Sequence, residues 1–144
     1  MGRGVGAVRS ERLGRALALG GAALLGAWML FDGARALVVG DYVTPATGPY
    51  AGQLGPWADV LAAAGVAPRA PETMAAFVVL GVAWLSAALA HASRARHAGA
   101  ALAALAVLSL WYLPSGTLLG CLVLAGLALA RRAARARVMG AAPR

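Results

Sequence analysis

HASRARHAGAALAALAVLSLWYLPSGTLLGCLVLAGLALARR, residues 91–132, opens on a short basic connection and closes on an arginine pair. Between them, from His97 to Ala130, run 34 residues without a formal charge. One straight helix of that length would rise about 51 Å, against a bilayer hydrocarbon core of about 30 Å. Leu113-Pro114-Ser115-Gly116 breaks it. Proline lacks the N–H that a helix interior needs, and it biases the residue before it away from the helical region. The stretch therefore reads as a tight hairpin of two crossings, 97–113 and 114–132.

Working toward the N-terminus, Glu72 and Arg94 bracket 21 uncharged residues, enough for a full crossing placed at 72–92. Pro71 and Glu72 suit its first turn: the ring presets φ, and the carboxylate faces the positive end of the helix dipole. Before it lies a segment, 39–71, rich in proline and glycine yet apolar and aromatic. Within it Trp57, Val60, Leu61 and Ala64 fall at i, i+3, i+4 and i+7, one face of a short helix over about 56–65. Gly55-Pro56 suits its start and Gly65 its stop. This helix is expected to lie on the outer membrane surface. A further crossing, 16–38, precedes it. Residues 1–15 and 133–144 are the flanking tails, the first expected to be flexible for its Gly2, Gly4 and Gly6.

Charge tests this layout. Of 13 basic residues, all arginine, 11 fall in the two tails, the 93–96 connection and, as Arg131 and Arg132, the end of the last crossing, together with Glu11, a net of +10. The other side carries Arg35 and Arg69 against Asp32, Asp41, Asp59 and Glu72, a net of −2. Such bias places the basic side in the cytoplasm. The fold class expected is all-α: an integral membrane bundle of four transmembrane helices, a single domain, with both termini inside and a short interfacial helix in the outer loop. The Ala-, Gly- and Arg-rich composition points to a bacterial inner membrane. A rival reading treats the first apolar stretch as a signal peptide cut after Ala34-Arg35-Ala36, but apolar character resumes at Leu37.

Composition excludes several classes. Hydrophobic residues make up 61% and charged residues 12%, where soluble domains run at about 45–50% and about 25%. The arginines flank apolar stretches instead of interleaving with aromatics, so the charge addresses lipid and not nucleic acid. No HExxH, GxSxG or phosphate-loop motif is present, and no carboxylate sits mid-span. Cys121 stands alone, without a metal or redox spacing, and reads as a small buried hydrophobe. His91 and His97 flank one basic turn at the water interface, where a haem would need them deeper and on facing helices. No cofactor, metal or catalytic residue is expected.

The sharpest candidates are Asp32 and Arg35, three apart on one helix and close enough to pair. Asp32 lies about 25 Å along the axis from Arg15, near the outer interface. The plain reading is a hydrated pair capping the span; the functional one puts Asp32, Arg35 and Asp41 at the mouth of an outer polar cleft. The outer aromatics, among them Trp28, Tyr42, Trp57, Trp111 and Tyr112, read first as an interface belt and second as the wall of an apolar ligand pocket. Gly116 and Gly120 form a GxxxG, with Ala16/Gly20, Ala22/Gly26 and Ala23/Ala27 on the first span. Small residues let helix backbones approach, within the monomer or against a partner. The expectation for function is a non-catalytic accessory or partner-binding membrane subunit, its partners being the bilayer and a second membrane protein or further copies of itself. The alternatives are a small oligomeric transporter or channel using the outer cleft, and a redox or lipid-handling protein with an outer apolar pocket.

Overall fold

The computed structural model describes residues 2–140. They form five helices: α1 Gly2–Val39, α2 Trp57–Ala63, α3 Pro71–Ala92, α4 Ala98–Leu108 and α5 Ser115–Gly140. Three of these, α1, α3 and α5, are long and apolar enough to cross a membrane. The fourth apolar helix, α4, has only 11 residues, or about 16 Å of rise.

Helix α1 is the spine. Among its buried positions, Gly14, Ala18, Gly21, Leu25, Met29, Asp32 and Ala36 recur at heptad-like spacing, with Ala22, Gly26 and Gly33 buried beside them. One flank packs on α5 and the other on α3. Small residues set the separations. A Cβ on Gly126 would sit 2.6 Å from the Gly14 carbonyl oxygen and 2.8 Å from the Ala18 nitrogen, and a Cβ on Gly81 would collide with the Leu30 backbone. Backbone-to-backbone approach of this kind is how helices gain contact in lipid. Of the small-residue pairs on the first span, Ala22/Gly26 turns inward; Ala16/Gly20 and Ala23/Ala27 face outward.

The N-terminal segment is not a flexible tail: α1 begins at Gly2, and α5 likewise runs on to Gly140. The two basic helix ends lie together, joined by Arg137 Nη1 donating to Glu11 Oε2 at 2.7 Å. Glycine costs a helix about 1 kcal/mol per residue. The partner helix outweighs that here, because Gly14 admits α5 to contact. The second correction concerns Cys121, which is exposed on α5, one residue round from the inward-facing Gly120.

Helix ends follow local chemistry. At α2, Gly65 takes φ +77°, with Gly65 N–H donating to Ala62 and Val66 N–H to Leu61. This is a Schellman stop, where glycine is the expected residue. Helix α3 ends the same way, Arg94 N–H to His91 and Ala95 N–H to Ala90, but the left-handed position is Arg94, at φ 61°.

Contacts define two ends of the bundle. At the basic end Arg15 Nη2 donates to the carbonyl of His91, at 3.1 Å. At the other end Trp28 Nε1 donates to the Tyr112 hydroxyl at 2.9 Å. Along α1 the two levels are about 20 Å apart. The segment 98–112 bridges them by α4 and the turns after it. The tip of the α4–α5 hairpin thus stops below the top of α1, and the 40–70 loop closes the space above it.

Candidate functional site

Helix α1 turns at Gly40, φ +90°, and the chain folds back over the bundle. Three polar side chains hold this corner. Asp32 Oδ1 accepts from the Val43 amide at 2.7 Å. Arg35 Nη1 donates to the Asp41 carbonyl at 2.7 Å. Asp41 Oδ1 accepts from its neighbouring Tyr42 amide at 2.8 Å and from Arg69 Nε at 2.9 Å. Arg69 also reaches the Gly52 carbonyl at 3.0 Å, so it ties both strands of the loop to the start of α3. Sequence spacing brought Asp32, Arg35 and Asp41 together and missed Arg69, which is 28 positions from Asp41; no local pattern marks a pairing made by loop closure.

The expected hydrated Asp32–Arg35 pair is not what forms. Asp32 is 3% exposed, and no ion pair joins it to Arg35 among the described residues. The loop's own backbone takes both side chains, because the folded-back corner offers an amide to one and a carbonyl to the other. The Arg69 guanidinium beside Asp41 holds that carboxyl below the usual carboxylate range.

Beneath the corner lies a packed set of rings. Tyr42, Trp57, Phe77, Trp111 and Tyr112 have centroids 5.0–6.4 Å apart, mostly tilted or edge-on, the arrangement favoured by ring quadrupoles. Trp57 is 6% exposed and Tyr42 2%. Burial pushes the Tyr42 phenol pKa up, with the nearby Asp32 adding to it, and its hydroxyl has no hydrogen-bond partner among the described residues. These rings pack on one another and fill the gap above the short hairpin. The inward face of α2 is accordingly Trp57, Ala58 and Leu61, while Val60 and Ala64 are exposed. The helical period expected from sequence holds, but the face is rotated, because Trp57 enters the ring cluster and fixes which side follows it.

A shallow apolar groove of about 600 Å³ runs outside this region between α1 and α3, walled by Leu30, Phe31, Val38 and Leu85, with Arg35 at its rim. Gly116 and Gly120 turn inward: a Cβ on Gly116 would strike the Ser109 carbonyl and Tyr112, and one on Gly120 would sit 3.0 Å from the Ala106 carbonyl oxygen. Deeper in, Trp84 Nε1 donates to Ser109 Oγ at 3.1 Å, both groups buried. Of the two histidines, His91 is half-buried at the basic end and His97 is exposed. No group of three or more His, Cys, Asp or Glu is placed to hold a metal among the described residues. No protein family, curated protein or solved structure matches the chain.

Proposed function

We propose that the protein is a bacterial inner-membrane subunit that crosses four times with both ends in the cytoplasm and serves a non-catalytic, partner-binding role. In this reading α1, α3 and α5 are full crossings. Helix α4 with its flanking turns is a short fourth one, and the α2 loop seals it on the outer side. The arginine bias supports the orientation. One observation carries the role: the polar side chains at the outer corner are spent on the chain's own backbone and on one another. Asp32 holds Val43, Arg35 holds Asp41, and Asp41 holds Arg69. What faces outward on the same level is apolar, including Phe31, Val38 and Val39.

The orientation is tested with single thiols in a Cys121→Ser background. Thr47→Cys should react with an impermeant label in intact cells, and Ala95→Cys only after lysis. The role is tested by purification in mild detergent with mass spectrometry, beside a variant carrying Ala34→Trp on the outward face of α1. A stoichiometric membrane partner lost in that variant supports the reading. A monodisperse single chain that drives solute flux in liposomes, lost on Asp32→Ala, would replace it with the transporter reading, favoured only by the gathering of Asp32, Arg35 and Asp41.

A further inference from the structure

The basic end of the bundle carries a feature that the partner-binding role does not use. Arg15 of α1 lays its guanidinium across the end of α3, donating to the carbonyls of His91 and Ala92 at 3.1 and 3.5 Å. Across from it, α4 begins at Ala98, and its second residue is Gly99. A side chain on residue 99 would begin 3.7 Å from Arg131 Nη2 of α5 and 3.9 Å from His91 Nδ1 of α3. With only a hydrogen there, a notch stays open between the ends of four helices. Arg131 and the His91 imidazole edge line it, Arg15 stands beside them on the His91 carbonyl, and the first turn of α4 adds the positive end of its helix dipole.

Among the described residues no carboxylate pairs with Arg15 or Arg131. The charged groups that act on the His91 ring are Arg15 and Arg131. The acid on the neighbouring turn of α1, Glu11, is taken by Arg137. Arg131 makes no hydrogen bond within the described residues and is exposed. Arg15 and Arg131 are thus two guanidinium groups without an acid partner among the described residues, and guanidinium N–H groups match the tetrahedral oxygens of a phosphate. The notch lies where the apolar faces of α1, α3 and α5 give way to their basic ends, the depth at which a lipid phosphate sits. Basic pockets between membrane helices on the cytoplasmic side hold anionic headgroups in this manner.

We propose that Arg15, Arg131 and the open face of Gly99 form a binding site for the phosphate of an anionic phospholipid. Its assignment to the inner leaflet rests on the orientation above; the binding itself does not, and the test is run in detergent, so the two can fail separately. The probes are short-chain phosphatidylglycerol, short-chain phosphatidylcholine and inorganic phosphate. Each is titrated against the full chain, with binding read from thermal unfolding and native mass spectrometry. Phosphatidylglycerol should raise Tm by several degrees and remain bound, while phosphatidylcholine does neither. Arg131→Gln should weaken phosphatidylglycerol about tenfold or more, the loss of one charge-assisted contact. Gly99→Leu should do the same with both arginines intact, by filling the notch. Arg132→Gln with Arg135→Gln, which removes more charge from the same helix, should leave affinity within about twofold. Equal stabilisation by both lipids, or equal weakening in the Arg132/Arg135 control, would reduce the effect to unspecific attraction and overturn the site. An equal response to inorganic phosphate would overturn the lipid as its occupant. Arg131→Gln and Gly99→Leu leave the Arg15 bonds to α3 in place, so neither removes the contact that holds this end together.

Discussion

The two ends of this bundle are held by opposite means. At the end away from the arginines a loop descends on the helices and is fixed by buried rings and by single hydrogen bonds from Asp32 and Arg35 to its backbone. At the basic end no loop intrudes. Two helices simply continue past the apolar region, brought into contact by Gly14 and Gly126 and joined at the surface by Arg137 and Glu11. Stability at the first end depends on side chains that cannot be replaced by others of similar size. At the second it depends on the absence of side chains. The lesson is that an aromatic, Pro/Gly-rich loop in a membrane chain can be core, while a polar, glycine-rich terminus can be regular helix, wherever a neighbour supplies the missing contacts.

This contrast can be broken by substitution. Trp57→Ala should have the largest effect, a loss of about 3–5 kcal/mol as for large aromatics removed from cores, seen as a lower thermal midpoint in detergent. A change under about 1 kcal/mol would put the α2 loop back on the membrane surface. At the other end Gly126→Val should cost about 1–3 kcal/mol or more, since its branch meets the α1 backbone and overpacking there has no flexible side chain to move. It should also speed amide exchange in the first turns of α1. If those turns already exchange like free peptide in the unsubstituted protein, the helical pairing of the two basic ends is wrong.

Smaller effects sharpen the comparison. Asp32→Ala leaves the Val43 amide without its acceptor and should cost about 1–3 kcal/mol, while Asp32→Asn, which keeps an acceptor, should recover most of it. A double-mutant cycle of Asp32→Asn with Arg35→Gln should show coupling below about 1 kcal/mol, since the two do not pair; strong coupling would restore the ion pair. At the basic end Arg94→Gly should stabilise by about 0.5–1 kcal/mol, as it relieves a left-handed position where only glycine is free of strain. Asp41→Asn should matter least. The Asp41–Arg69 pair is 43% and 48% exposed, so its worth is at most about 1 kcal/mol. Because the folded carboxyl titrates below its unfolded value of about 3.9, this contribution is present above that pH and is lost as pH falls through the folded value. Salt should weaken it as well.

Much of the framework was legible beforehand. Pro71 with Glu72, Gly65 and the Leu113–Gly116 break each marked a helix boundary, because capping and backbone freedom are local properties. The run of apolar residues between charges marked α1, α3 and α5 as long helices for the same reason: length and composition suffice. The site was legible only in part. Asp32 and Arg35 stood out as ionisable residues in an apolar helix, yet their partners, the Val43 amide and the Asp41 carbonyl, are backbone groups that any sequence possesses. Nor does periodicity record which side of α2 turns inward, since Val60 and Leu61 are equally apolar.

The sequence by itself determined that this chain is helical, that its apolar runs can make membrane-crossing helices, and that its arginines flank those runs unevenly, because hydropathy, proline and arginine act on their own neighbourhoods. The tertiary structure alone decided three things: that the hairpin of α4 is short, that the 40–70 loop descends to fill the space above it, and that the basic ends of α1 and α5 run on as paired helix. Each of these depends on contacts between residues far apart in the chain, Trp57 with Phe77, Gly14 with Gly126 and Trp84 with Ser109. Packing and desolvation are properties of such pairs, and neither member of a pair carries them alone.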